Sequence, residues 1–161
     1  QSIRFHERHV RVMGRPAQGV RAIRLHGGDL VAGTDVVGAE HTHVLVITAN
    51  GYGKQTPVEN YGAQGRFGLG VRTLTRDERT GLIVAMRCVN SKDDILLLTR
   101  EGIVLRTELD QIRKTGRMAL GVRMMDIDDG DTIAGIAIME GVTEIAAATD
   151  NGDASAEADA G

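Results

Sequence analysis

Tryptophan is missing from the 161 residues, and Tyr and Phe occur twice each. The core must therefore be assembled from Val, Ile, Leu, Met and Ala, and a binding mode that stacks successive bases on a row of rings is disfavoured. Cysteine occurs once, at Cys88, inside the apolar run 82–89. No disulfide can form within one chain, the thiol is expected in the interior, and a reducing, cytoplasmic setting is the expectation. No stretch approaches 18 uninterrupted apolar residues, and the opening Gln-Ser-Ile-Arg-Phe-His lacks the pattern of a signal peptide. The chain opens in mid-pattern without Met, and reads as a piece of a longer protein.

Chemical signatures are equally sparse. The glycine-dense stretch 65–70 has no G-x-x-x-x-G-K-[ST] pattern and no following helix whose N-terminus would hold a phosphate. The serines lack a nucleophile-elbow context. The pairs His6/His9 and His41/His43 offer two metal ligands each, with no convergent carboxylate or thiol to complete a site. No catalytic residue, metal site or cofactor is expected.

Basic residues are absent from the end of the chain. All 19 Lys and Arg lie at or before Arg123, whereas 10 of the 22 Asp and Glu lie from Asp126 onward. The net charge of −3 thus conceals a basic body and an acidic end. Such a split suggests a body that meets a polyanion.

Glycine is plentiful, with 21 copies, and much of it is periodic. A Gly-Arg, spacer, Gly-Val-Arg element occurs as G14-R-P-A-Q-G-V-R21, G65-R-F-G-L-G-V-R72 and G116-R-M-A-L-G-V-R123. Arg15, Arg66 and Arg117 are each 51 residues apart, as are Gly19, Gly70 and Gly121. A fixed period of this size marks a repeat architecture. Each full unit opens on a β-branched, leucine-rich run ended by a turn pair, V44-L-V-I-T-A-N-G51 and I95-L-L-L-T-R-E-G102. Strand, tight turn and strand is the reading, with return strands over 52–57 and 103–107. A connector with at most a single helical turn at 108–112 follows, then the Gly-Arg element, then an apolar strand at 82–88 or 133–139. Glycine recurs too often for long helices.

About four short strands per fifty residues describes propeller-like blades. The expected fold is all-β: a partial blade over 1–43 ending in the strand-like 30–37, a blade over 44–94, a blade over 95–141, a remnant strand over 142–152, and a disordered acidic tail over 153–161. About three blades should form an open arc or part of a larger disc. The glycines are expected to serve blade corners. The arginines suit phosphate oxygens, since a planar guanidinium donates two hydrogen bonds while glycine neighbours admit close approach. The candidates for polyanion contact are Arg15, Arg21, Lys54, Arg66, Arg72, Arg106, Arg113, Lys114, Arg117 and Arg123.

The segments N50-G-Y-G-K54 with T56-P57, Q64-G-R66 and G70-V-R72, together with I3-R-F-H-E, V12-M-G-R15 and G19-V-R21, resemble blades of the C-terminal DNA-wrapping domain of bacterial DNA gyrase A. The resemblance covers about residues 1–141, and the corresponding polypeptide of topoisomerase IV shares it. It implies a β-pinwheel, a propeller-like disc whose blades exchange strands, with a basic rim that wraps double-stranded DNA and supports negative supercoiling. The implied partners are DNA, the remainder of gyrase A, and gyrase B, in the bacterial cytoplasm at the nucleoid. The family's basic box, Q-R-R-G-G-K-G, is not present, nor are the catalytic tyrosine region and the ATPase motifs. The family habit of an acidic extension implies a tail that competes with DNA for the rim, so that removing 142–161 should tighten binding. A reading of another class is a propeller-like protein-interaction scaffold whose arginines bind an acidic partner.

Overall fold

The computed structural model describes residues 1–75 and 77–139. Its strands are β1 (His43–Thr48), β2 (Tyr52–Pro57), β3 (Ile83–Val89), β4 (Asp94–Thr99), β5 (Val104–Glu108), β6 (Val122–Arg123) and β7 (Ile133–Met139). The expected hairpins are β1/β2 and β4/β5, turned at Gly51 and Gly102, whose φ angles of 76° and 89° suit glycine. Each hairpin's first strand then takes its unit's last strand on the other side, β1 with β3 and β4 with β7. Both pairings carry a register shift at the same repeat position, between Ile47 and Thr48 and between Leu98 and Thr99. The helical turns in the connectors are single 3-10 turns, Val58–Asn60 and Leu109–Gln111.

Alternation along β1 explains its unbroken apolar run. Leu45 and Ile47 point into a core shared by both sheets with Val89, Ile95, Leu97, Leu109, Ile112, Met125 and Ile133, while Val44 and Val46 pack on the other face against Val58 and Tyr61. Full burial of each such aliphatic side chain contributes about 1.5–3 kcal/mol. In β4 only one face is covered, and Leu98 on the opposite face is 42% exposed.

The sheets are joined by strand exchange between units. One sheet runs β3-β1-β2-β6, in which β6 belongs to the following Gly-Arg element; the other runs β5-β4-β7. Gly53 pairs with Val122 and Gln55 with Lys114. Ser2 pairs with Val71 and Arg4 with Ala63, the same two contacts 51 residues earlier. The outer edge of β5, the counterpart of β2, has no strand partner among the described residues.

The run 30–37 is not a strand. In the later units this run pairs with the first hairpin strand of its own unit, and residues 1–29 contain no counterpart of β1. It lies instead against β3, where the Asp35 carboxylate accepts from the Cys88 N–H at 2.8 Å and from Arg87 Nε at 2.9 Å. Leu30, Val31 and Val36 remain exposed. Burial would raise the Asp35 pKa, but these bonds and one from the Val36 N–H hold it below the ordinary value. Cys88 is buried, and burial pushes its thiol up to about 11, so it is a packing residue. The expected remnant strand at 142–152 and tail at 153–161 lie outside the described residues.

Candidate nucleic-acid interface

The Gly-Arg element occupies the seam between one unit and the next, and its glycines are there for two reasons. Gly70 and Gly121 have φ angles of 75° and 90°, which disfavour any side chain. A Cβ at Gly70 would also be driven into the Ser2 carbonyl, and one at Gly121 into the carbonyl of Gly53 in β2, each in the preceding unit. Gly19 keeps the φ of 80° yet has nothing within 4 Å of its would-be Cβ.

The first arginine of the second and third elements spans the seam. Arg66 Nη1 donates to the Arg21 carbonyl at 2.7 Å and its Nε to the His9 carbonyl at 2.7 Å. Arg117 Nη1 donates to the Arg72 carbonyl at 2.9 Å. Both are half-buried, so each guanidinium is oriented by backbone while part of it still faces water. The structure thus brings together Arg66 with Arg21 and Arg117 with Arg72, one pair per seam. Arg15, the remaining first arginine, is exposed, as are Arg21, Arg72, Arg113 and Lys114. None of these seven cations has a carboxylate at ion-pair distance among the described residues.

The other candidates are engaged elsewhere. Lys54 is 1% exposed, and its ammonium donates to the carbonyls of Gly116, Arg117 and Ala119 at 3.1, 2.5 and 2.9 Å. All three protons are used in holding the next unit's Gly-Arg loop, so Lys54 supports that loop and has no donor left for a phosphate. Burial, and then the neighbouring charge of Arg117, lower its pKa to about 8. Arg106 is paired with Asp94 through Nε at 2.8 Å and Nη2 at 2.5 Å. Arg123 is bonded to Asp126 at 2.9 Å and lies over the Tyr52 ring at 5.5 Å. A neighbouring carboxylate competes with any phosphate for these two guanidiniums.

Arg24 is a basic residue that the repeat pattern concealed. It is exposed, without an acidic partner among the described residues, and lies 5.1 Å from the centroid of the Phe67 ring, as Arg21 does. Its counterparts 51 and 102 positions later are Thr75 and Asp126, so it looks aperiodic. The usable signal was its spacing of three from Arg21.

Comparison with known proteins places these features in a family. A family model described as the DNA gyrase C-terminal domain, beta-propeller, matches residues 1–37, 42–90 and 93–138. The DNA gyrase A protein of Staphylococcus epidermidis is 43% identical over 136 residues, covering 84% of this chain and 15% of the relative. Its counterpart from Staphylococcus aureus is 40% identical over the same length. Among solved structures, a DNA gyrase A C-terminal domain superposes with a TM-score of 0.75 at 27% identity, over 84% of this chain and 46% of that one. The C-terminal domain of a DNA topoisomerase IV gives 0.79 at 21% identity, over 84% of this chain and 42% of that one, a likeness of fold. The chain spans about one-seventh of the length of the curated relatives it matches.

Proposed function

The chain belongs to the DNA gyrase C-terminal domain family, and from that premise we propose that it is a non-catalytic module that binds double-stranded DNA and bends it along a basic rim. In the complete protein it would serve a type II topoisomerase, gyrase, alongside the rest of gyrase A and the gyrase B protein. The observation that carries the reading is the recurrence, at two successive seams, of an arginine pair free of carboxylates among the described residues, in which one guanidinium is oriented by the other's backbone carbonyl.

Arginines fixed at a repeat interval meet the phosphate backbone at a repeat interval. Contacts of this kind position a duplex without reading its bases, so binding should be indifferent to sequence. Smoothly bending 20–30 base pairs costs about 1–6 kcal/mol, which several charge-assisted bonds must offset. Among the described residues no group of three or more His, Cys, Asp or Glu is placed to hold a metal ion. The module supplies grip and curvature.

Salt dependence of duplex binding tests this directly. About five or six phosphate contacts predict a slope of log affinity against log salt near −5. Arg21→Ala and Arg72→Ala should each flatten the slope by about one unit and weaken binding equally on unrelated duplexes. Absence of duplex binding at 50 mM salt, or an effect confined to one sequence, would reject the proposal.

A further inference from the structure

The two seams share the arginine-to-carbonyl bond but are not equally basic. Residues 21–24 and 66–68 are zipped together in the first seam. Arg66 Nη1 donates to the Arg21 carbonyl, the Phe67 N–H to that of Ala22 at 2.6 Å, and the Arg24 N–H to that of Gly68 at 2.9 Å. Phe67 is the one non-glycine residue among those described with a positive φ, 63°, a conformation that costs a bulky side chain energy and persists where surroundings enforce it. The consequence is a ring held at 5.1 Å from two guanidiniums at once, those of Arg21 and Arg24, with Arg66 adjoining.

The second seam repeats the arginine-to-carbonyl bond, from Arg117 Nη1 to the Arg72 carbonyl, with weaker contents around it. Met118 stands where Phe67 does, and Thr75 stands where Arg24 does, its hydroxyl donating to the Met118 carbonyl at 2.9 Å. In the third unit the same position is Asp126, and it neutralises Arg123. Along the chain, this position of the rim therefore runs from cation to neutral to anion.

Building on the DNA-binding reading above, we propose that the rim is graded: the cluster Arg21, Arg24 and Arg66 around Phe67 is the principal phosphate grip, and the second seam is the weaker one. Phe67 is a positioning residue. Its ring lies 5.1 Å from each of two like-charged guanidiniums, so that a backbone phosphate meets side chains already held and the cost of ordering two long side chains is lowered. The third position, with Arg123 tied to Asp126, is the weakest of the three.

The test uses the 161-residue chain and a 30-base-pair duplex of mixed sequence. Arg24→Thr, which installs the second seam's residue in the first, should weaken binding about tenfold and flatten the salt slope by about one unit. Arg72→Ala at the second seam should weaken it about threefold. Phe67→Gly removes no charge and suits the positive φ. It should lower affinity about threefold to fivefold with the salt slope unchanged, a combination that loss of charge does not produce. Phe67→Met keeps bulk at the site and should give the same loss, which covers the case in which the glycine variant unfolds. Asp126→Asn should raise affinity by freeing Arg123. If the native chain binds the duplex but Arg24→Thr costs no more than Arg72→Ala, or Phe67→Gly and Phe67→Met bind as tightly as the native chain, the graded rim is wrong while the DNA-binding reading stands. If the native chain does not bind, the DNA-binding reading fails first.

Discussion

At the scale of single residues, the repeated element divides its work differently from what its composition suggests. Glycine recurs because a positive φ and close contact with the neighbouring unit's backbone are both needed at Gly70 and Gly121, whereas at Gly19 only the φ requirement operates. Alanine should therefore be tolerated unequally. Gly19→Ala carries the cost of a left-handed conformation, about 1–2 kcal/mol. Gly70→Ala adds displacement of the backbone bridged at Ser2 and should cost at least about 1 kcal/mol more, as read from urea unfolding of the two variants. Equal losses would mean that the seam yields without resistance. The glycines' role was legible from period alone, but the arginines' was only half so. A basic residue at fixed spacing gives no sign of whether its guanidinium faces solvent or a carbonyl, and Arg66 and Arg117 do both. Nothing local marked Lys54 for burial either, because a lysine in a return strand normally faces water, and three carbonyls of another unit hold this one in.

At the scale of elements, β2 acts as the joint of the molecule. One residue after Lys54, Gln55 donates through Nε2 to the carbonyls of Leu109 and Ile112, closing the next unit's 3-10 turn, as Arg4 does for the carbonyls of Val58 and Tyr61 at 3.2 Å each. A glutamine and an arginine do the same job 51 residues apart, which is why similarity of residues did not disclose it. Strands and hairpins were readable because their signal is local alternation and a turn pair. Exchange contacts join residues more than fifty positions apart and leave no local trace. The Lys54 tie has a pH signature. Below about pH 8, folded and unfolded chains both hold its proton, and the burial of charge weighs against folding. Between about 8 and the ordinary lysine value of 10.5 only the unfolded chain retains it, so this group's contribution to stability rises with pH. Lys54→Met lacks this titration. The stability of the native chain relative to this variant, from urea titrations at pH 7 and pH 10, should increase by about 1 kcal/mol or more. A flat difference would show that the three carbonyls keep the ammonium at its ordinary pKa.

At the scale of the whole molecule, the issue is whether the units fold separately or as one. Repeat proteins in which each unit touches only its neighbours behave as a sum of units and interfaces, and a lesion in one can melt it alone. Here the main core is not divided by unit. Leu45, Ile47 and Val89 of the first sheet pack in the same cluster as Ile95 and Leu97 of the second and Leu109 of the turn that follows β5, and the Leu109 carbonyl is also held by Gln55 across the seam. Leu109 is fully buried on a 3-10 turn of the later unit, so Leu109→Ala should cost about 2–5 kcal/mol through lost contacts and a residual cavity. With a shared core that loss cannot stay local. Hydrogen exchange should accelerate at the β1 amides as much as at those of β4, and thermal unfolding should remain a single transition shifted downward. Faster exchange in β4 with β1 unaffected would mean that the units are energetically separate, and that the rim arginines are held by single units and not by the joined pair. The outcome bears on the proposed function, because a duplex bent across two seams would pull on both, and only a core common to the two sheets would resist that load as one body.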